Sequence, residues 1–122
     1  MKNKAAALIR YISPTICLPG EASIIQVVAL AAEHLANGEE VNVLRTVCAE
    51  AASELDMQLQ AVTKAVQRAV DAIWMDGKND RLHEIAGRTL STATAKELVL
   101  YCAHYLITGE PYHKKPTILV IE

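Results

Sequence analysis

The stretch AASELDMQLQAVTKAVQRAVDAIW, residues 51–74, decides the fold of this chain. Its first five residues end one amphipathic helix, and Asp56 follows as a residue that favours turns and caps. A second helix then covers residues 59–75 and ends before Gly77. Two helices joined by so short a turn predict a helix-turn-helix over residues 43–75.

The second of these helices has an apolar side and a polar side. At 100° per residue one stripe collects the side chains that we expect to face the core: Val62, Val66, Ala69, Val70 and Ile73. The other side carries amide, hydroxyl and basic groups near its N-terminal end: Gln60, Thr63, Lys64, Gln67 and Arg68. Amide side chains match adenine, and basic side chains match guanine or phosphate. This side therefore predicts contact with bases in a DNA groove.

The bulk composition indicates one folded domain and gives no general reason to bind nucleic acid. With 52% hydrophobic and 21% charged residues in 122, the chain is not a disordered one and is long enough for a core. The formal net charge is −2 at pH 7. Any contact with a polyanion must therefore come from a local patch.

Helical patterns also fill the rest of the chain. Residues 4–13 predict a short helix stopped by Pro14, and a strongly apolar helix follows from Glu21 or Ser23 to about residue 37. The next helix, EEVNVLRTVCAEAASEL, has Asn42 as its predicted cap, with its apolar positions facing inward: Val43, Leu44, Val47, Cys48, Ala51 and Leu55. The central helix of the fold is the apolar one.

Two more helices complete the pattern. A short helix, RLHEIAG, closes with Gly87, and the last helix ends at Gly109 after a cap at Ser91, Thr92 or Thr94. The fold class is therefore all-α: a compact bundle of about six helices over residues 1–109 that contains the helix-turn-helix. Residues 110–122 form an extended C-terminal tail, because TILVI favours extended backbone. Whether the tail packs as an arm or pairs with a second copy is left open.

The cysteines and the apolar runs indicate a cytoplasmic protein. Cys17, Cys48 and Cys102 are odd in number and far apart, which is typical of buried thiols in a reducing compartment. The longest apolar run, residues 27–32, is too short for a membrane span. We expect no membrane partner.

The block AVTKAVQRAVDAIWMDGKNDRLHEIAG, together with AKELVLYCAHYL, resembles the C-terminal DNA-binding effector domain of the sporulation initiation master regulator, the stage zero sporulation protein A family. The resemblance covers residues 43–106, about half the chain. It rests on these anchors: Val62, Ala65, Val66, Ala69, Val70, Trp74, Gly77, Asp80, Leu82, Ile85 and Gly87.

The resemblance implies a response-regulator effector domain of about six helices that binds promoter DNA and regulates transcription in sporulation. It implies that two such domains often lie side by side on the duplex, so a homodimer is left open. By position, the residues facing DNA would be Gln60, Ala61, Thr63, Lys64, Gln67 and Arg68. Ala61, Lys64 and Gln67 stand where the family has arginines, so we do not expect the same target sequence. We expect a free-standing effector domain without a receiver domain.

The predicted site therefore has two parts. The base-reading residues are Gln60, Thr63, Lys64 and Gln67. The phosphate-contacting residues are Arg45, Arg68, Lys78 and Arg88. Residues 42–90 contain six basic and seven acidic side chains, so we expect weak or strongly salt-dependent DNA binding.

The alternative function is a protein–protein interaction module that keeps the fold and has lost DNA binding. We expect no enzyme, because nucleophile elbows, phosphate-binding glycine loops and nucleotide fingerprints are missing from the sequence. We expect no metal, cofactor or small-molecule substrate, since Cys102 and His104 point to opposite sides of a helix and no second Cys/His pair has ligand spacing.

Overall fold

The computed structural model describes residues 1–14, 18–42, 46–92 and 94–113. Within these ranges the chain forms six helices and no strand. Their bounds are α1 (Lys2–Ile12), α2 (Glu21–Ala36), α3 (Cys48–Leu55), α4 (Leu59–Asp76), α5 (Asn79–Ala86) and α6 (Ala95–Thr108). The predicted all-α class with about six helices is confirmed. The predicted extended tail falls largely on residues 114–122, outside the described residues.

Helix α2 is the centre of the bundle, as its sequence predicts. Every residue from 23 to 32 is buried, because α1, α3, α4 and α6 all pack against it. A helix that is apolar on all sides is stable only where neighbours cover every side. The remaining helices are amphipathic and contribute one stripe each to the core.

Most helix ends lie where the capping residues place them. The Thr94 hydroxyl accepts the Glu97 backbone N–H at 3.2 Å, so Thr94 is the N-cap of α6. Gly109 ends that helix with left-handed backbone, at φ 71°. Asp56 ends α3 in the same region, at φ 54°, which an aspartate tolerates better than most residues. These three positions agree with the sequence predictions.

The predicted start of α3 lies next to residues outside the described ranges. α3 is bounded at Cys48, and the Asn42 carbonyl accepts the backbone N–H groups of Thr46 and Val47, at 3.0 and 3.1 Å. Residues 43–45, between the predicted cap at Asn42 and α3, lie outside the described residues, so the cap stays a prediction. Val47, Cys48 and Ala51 are buried as predicted, whereas Val43 and Leu44 lie outside the described residues.

Two close backbone contacts fix the orientation of α4. Gly20, with φ 70°, lies so near the middle of α4 that a Cβ there would be 2.1 Å from the Ala65 carbonyl oxygen. At the other end, the Lys78 backbone N–H donates to the Ile12 carbonyl at 2.7 Å. One side of α4 is therefore held against the loop before α2 and the end of α1, which directs its opposite side outward.

The described cysteines are buried, as predicted. Cys48 and Cys102 are both free thiols with no exposed surface. Burial raises the pKa of Cys102 to about 12, which keeps it a neutral thiol at ordinary pH. Cys17 lies outside the described residues. None of the helices in the described ranges has the length and apolarity that crossing a membrane requires.

Candidate nucleic-acid interface

Helix α4 has a buried side and an exposed side. Its buried stripe is the predicted one, and each member is at most 1% exposed: Val62, Val66, Ala69, Val70 and Ile73. On the opposite side, the first two and a half turns expose Gln60, Ala61, Lys64, Gln67 and Arg68. The structure thus brings these side chains together on one surface of a single helix. We call this surface the α4 ridge.

The N-terminus of α4 has no negatively charged group that would repel an anion. Gln58 precedes the helix in an extended conformation and makes no side-chain cap, and the first turn holds no acidic residue. The first backbone hydrogen bond runs from Val62 N–H to the Gln58 carbonyl, so the amides before Val62 have no partner further back in the helix. These amides give this end of α4 a partial positive charge.

Lys64 and Arg68 give the ridge its positive charge. Both side chains are exposed, and in the part of the chain that the structure describes neither forms an ion pair. The Gln60 amide is likewise without a hydrogen-bond partner among the described residues. These three side chains are available for contact with another molecule.

Thr63 is placed differently from the rest of the predicted base-reading set. It is half-buried, and its hydroxyl donates to the Leu59 carbonyl one turn back, at 2.9 Å. The same hydroxyl hydrogen-bonds the Cys48 thiol of α3; burial raises the pKa of that thiol and the hydrogen bond partly lowers it. The Thr63 hydroxyl therefore donates its proton within the protein and does not offer it to a ligand.

Gln67 carries an internal hydrogen bond as well. Its side-chain amide donates to the Asp71 carboxylate at 2.9 Å, and both residues are exposed. Asp71 follows the cations on the same side of the helix, so the ridge changes from positive to negative along its length. Met75, which is 78% exposed, lies one turn beyond Asp71. Only the N-terminal part of the ridge suits a polyanion.

The predicted phosphate-contacting residues are spread over the molecule. Arg45 lies outside the described residues. Lys78 is exposed just past the end of α4, about 20 Å along the helix axis from Lys64 at 1.5 Å per residue. Arg88 is exposed after α5 and donates to the Tyr101 hydroxyl at 3.5 Å. Of the three phosphate-contacting residues that the structure describes, only Arg68 lies with the base-reading set.

Arg81, one of the six basic residues within residues 42–90, forms contacts inside the protein. Its guanidinium donates to the Tyr11 carbonyl at 2.7 Å and lies over the Tyr11 ring, 4.5 Å from the centroid. The Tyr11 hydroxyl donates to Glu84 at 3.2 Å. Desolvation, followed by the Glu84 charge, raises the pKa of Tyr11. This group fastens α1 to α5 and leaves Arg81 committed there.

Two open hollows flank the α4 ridge. One, of about 430 Å³, is lined by Leu59, Gln60, Thr63 and Lys64. The other, of about 420 Å³, is lined by Met57, Gln58, Gln60, Ala61, Lys64, Ala65 and Arg68. Sequence reasoning did not include Leu59 and Met57, which are 44% and 40% exposed. Helical periodicity places Leu59 with the buried stripe, so no signal in the sequence marks it.

A larger hollow, of about 570 Å³, lies away from the ridge, between α5 and residues 110–113. Its lining includes three carboxylates, from Asp80, Glu84 and Glu110, and one guanidinium, from Arg88. This charge balance would repel phosphates. In size this hollow exceeds those at the ridge, but its charge makes it the poorer place for a nucleic acid.

Comparisons with known proteins assign the chain to no family. No protein-family model matches it, and no curated protein matches its sequence significantly.

Proposed function

We propose that this chain binds double-stranded DNA in a sequence-specific manner, with the N-terminal half of α4 in the major groove and α3 behind it. The observation that carries the proposal is the α4 ridge, where Gln60, Lys64 and Arg68 are exposed and have no hydrogen-bond or ion-pair partner among the described residues. In this proposal α3, the turn at residues 56–58 and α4 act as a helix-turn-helix.

The dimensions and the charge of the ridge support the proposal. A major groove about 12 Å wide admits an α-helix of about 10–12 Å diameter. The exposed cations, Lys64 and Arg68, are the sixth and tenth residues of α4. Recognition helices present these same N-terminal turns to the bases.

The roles within the ridge follow from its chemistry. Gln60 and Lys64 contact base edges, because an amide matches adenine and an ammonium group matches guanine. Gln67 and Thr63 contribute after the duplex displaces or bypasses their internal hydrogen bonds. Arg68, on the flank of the ridge, contacts a phosphate.

The resemblance to the sporulation regulator's effector domain supports promoter DNA as the target and transcription regulation as the outcome. Two copies side by side on one duplex would double the phosphate contacts of a chain whose net charge is −2. Arg45, Lys78 and Arg88 remain proposed phosphate contacts.

A second candidate function is a protein-interaction module, and the exposed Met75 favours it. Met75 is 78% exposed one turn beyond Asp71, and methionine is a residue that adaptable protein-binding surfaces use often. Met75 lies 11 residues, or about 17 Å along the helix, from Lys64.

The two candidates are separated by selecting bound duplexes from a random pool at low salt. The full chain is compared with Lys64→Ala and Gln60→Ala, and with Lys4→Ala as a matched control at an exposed lysine of α1. We expect the wild type and the control to enrich one sequence motif, and the two ridge variants to lose that enrichment. If the wild type recovers no more DNA than a protein-free blank, the DNA-binding proposal is wrong.

A further inference from the structure

Leu59 is exposed although its neighbours along the same stripe are buried. It is 44% exposed, whereas Val62 and Val66 are 0% and 1% exposed. Leu59 is the first residue of α4 and so lies at the end of this stripe. Its apolar surface therefore lies at the end of α4 that enters the groove in the proposed function.

Leu59 shares a hollow with Gln60 and Lys64, the two base-reading side chains that have no partner in the part of the chain that the structure describes. The hollow is lined by Leu59, Gln60, Thr63 and Lys64 and has a volume of about 430 Å³. The Thr63 hydroxyl proton is bonded to the Leu59 carbonyl and is not offered to a ligand. The hollow thus combines one apolar wall with an amide and an ammonium group.

We propose that Leu59 is a specificity-determining residue that contacts the C5-methyl group of a thymine in the DNA target. The inference rests on the proposed function and deepens it. Thymine is the one base that presents a methyl group in the major groove, and its partner adenine presents the N6 and N7 edge that an amide recognises. Leu59 and Gln60, adjacent in the chain, would thus read one A·T pair or two neighbouring pairs.

The chemistry of the hollow favours a methyl group on a polar duplex over an apolar protein surface. An apolar protein surface laid on Leu59 would also cover Lys64 and Gln60, and burying an ammonium group and an amide without partners is costly. A base pair supplies both kinds of contact at once, because the thymine methyl lies beside oxygen and nitrogen acceptors at the groove edge. Met57, 40% exposed just before α4, extends the same apolar end of the helix.

The test uses the duplex enriched from the random pool and a set of copies in which one thymine at a time is replaced by deoxyuridine. This replacement removes only the methyl group. At one position we expect the wild-type affinity to fall about three- to five-fold, the loss for one buried methyl-sized group. Leu59→Ala should bind the thymine duplex that much more weakly and show no further loss with deoxyuridine at that position.

Met75→Ala is the matched control, since Met75 is an exposed apolar residue of the same helix about 24 Å along its axis. It should keep the wild-type difference between thymine and deoxyuridine. If the wild type binds the duplex but Leu59→Ala retains the full difference at every position, the role of Leu59 is wrong and DNA binding stands. If the wild type binds no duplex from the pool, both proposals are wrong.

Discussion

The side-chain amide of Gln67 donates a 2.9 Å hydrogen bond to the carboxylate of Asp71, one turn further along α4. The pair lies on the exposed side of the helix, directly after the cations of the ridge. This contact occupies an amide that would otherwise be available to a base. It also places a negative charge on the surface that we propose to approach phosphates.

Asp71→Ala should therefore strengthen DNA binding. Removing an exposed charge interaction of roughly 0.5–1 kcal/mol predicts an affinity gain of about two- to five-fold for a duplex of random sequence. Fluorescence anisotropy at low salt measures the gain, which should shrink as salt is raised because exposed charges are screened. Asp80→Ala, at an exposed carboxylate of α5, is the control and should change the affinity less. An Asp71→Ala affinity at or below that of the wild type would count against the ridge as the DNA surface.

Replacing Lys64 and replacing Arg68 should change the affinity for DNA in different ways. We expect Arg68→Ala to weaken binding to all duplexes alike and to reduce the slope of log K against log salt by about 0.9, the value for one phosphate contact. Lys64→Ala should instead weaken binding chiefly to the enriched duplex and relax its base preference. Salt titrations with the enriched duplex and a scrambled one distinguish the two effects. If both variants lower both affinities equally, the assignment of Lys64 to a base edge is wrong.

The sequence predicted those parts of the fold that local patterns determine. The α4 stripe and the ends at Gly87 and Gly109 follow from periodicity and capping chemistry, and the structure selects Thr94 among the three predicted caps of α6. The start of α3 stays a prediction, because residues 43–45 before it lie outside the described residues.

The site was predictable to a similar extent. Which side of α4 is exposed followed from the helical period, and the Gln67–Asp71 and Thr63–Leu59 contacts span four residues each, a spacing visible in the sequence. The hydrogen bond from Arg81 to the Tyr11 carbonyl joins residues 70 positions apart and depends on how α1 packs against α5, so the sequence does not show it. The exposure of Leu59 likewise depends on where the core ends.

His34 links α2 to α3 through both of its ring nitrogens. Nδ1 contacts the Glu39 carboxylate at 2.9 Å, and Nε2 contacts the Glu50 carboxylate of α3. Both nitrogens donate only when the ring is protonated. The hydrogen bond to Glu39, followed by that to Glu50, raises the pKa of His34 above its ordinary 6.5.

This arrangement predicts that His34 stabilises the fold in acid and not in base. Because the folded-state pKa lies above the unfolded one, the contribution is complete below about pH 6.5 and is lost as pH rises through the folded value. His34→Gln should lower the melting temperature by a few degrees near pH 6 and have little effect near pH 9, since a partly exposed pair is worth about 1 kcal/mol at most. Thermal unfolding by circular dichroism measures the melting temperature at both pH values.

His104→Gln, at a half-buried histidine whose ring contacts the Thr108 hydroxyl, is the control. A His34→Gln deficit that is the same at both pH values would contradict the imidazolium contact.

Gly87 and Gly109 provide a matched pair for testing how residues 110–113 are held. Both have left-handed backbone, with φ 85° and 71°, but a Cβ on Gly109 meets nothing within 4 Å, whereas a Cβ on Gly87 would be 1.9 Å from the His113 carbonyl oxygen. Gly109→Ala should therefore lose about 1 kcal/mol of unfolding free energy, the cost of left-handed backbone. Gly87→Ala should lose about 3 kcal/mol, because it also displaces the segment that donates to the carbonyls of Ile85 and Ala86.

Urea unfolding measures both losses, and proteolysis after residue 109 gives an independent readout. We expect Gly87→Ala to be cleaved there much faster than the wild type, because the backbone N–H groups of Tyr112 and His113 no longer bond to the end of α5. Gly109→Ala should be cleaved at close to the wild-type rate. Equal free-energy losses together with equal cleavage rates in the two variants would mean that residues 110–113 do not lie against α5 in solution.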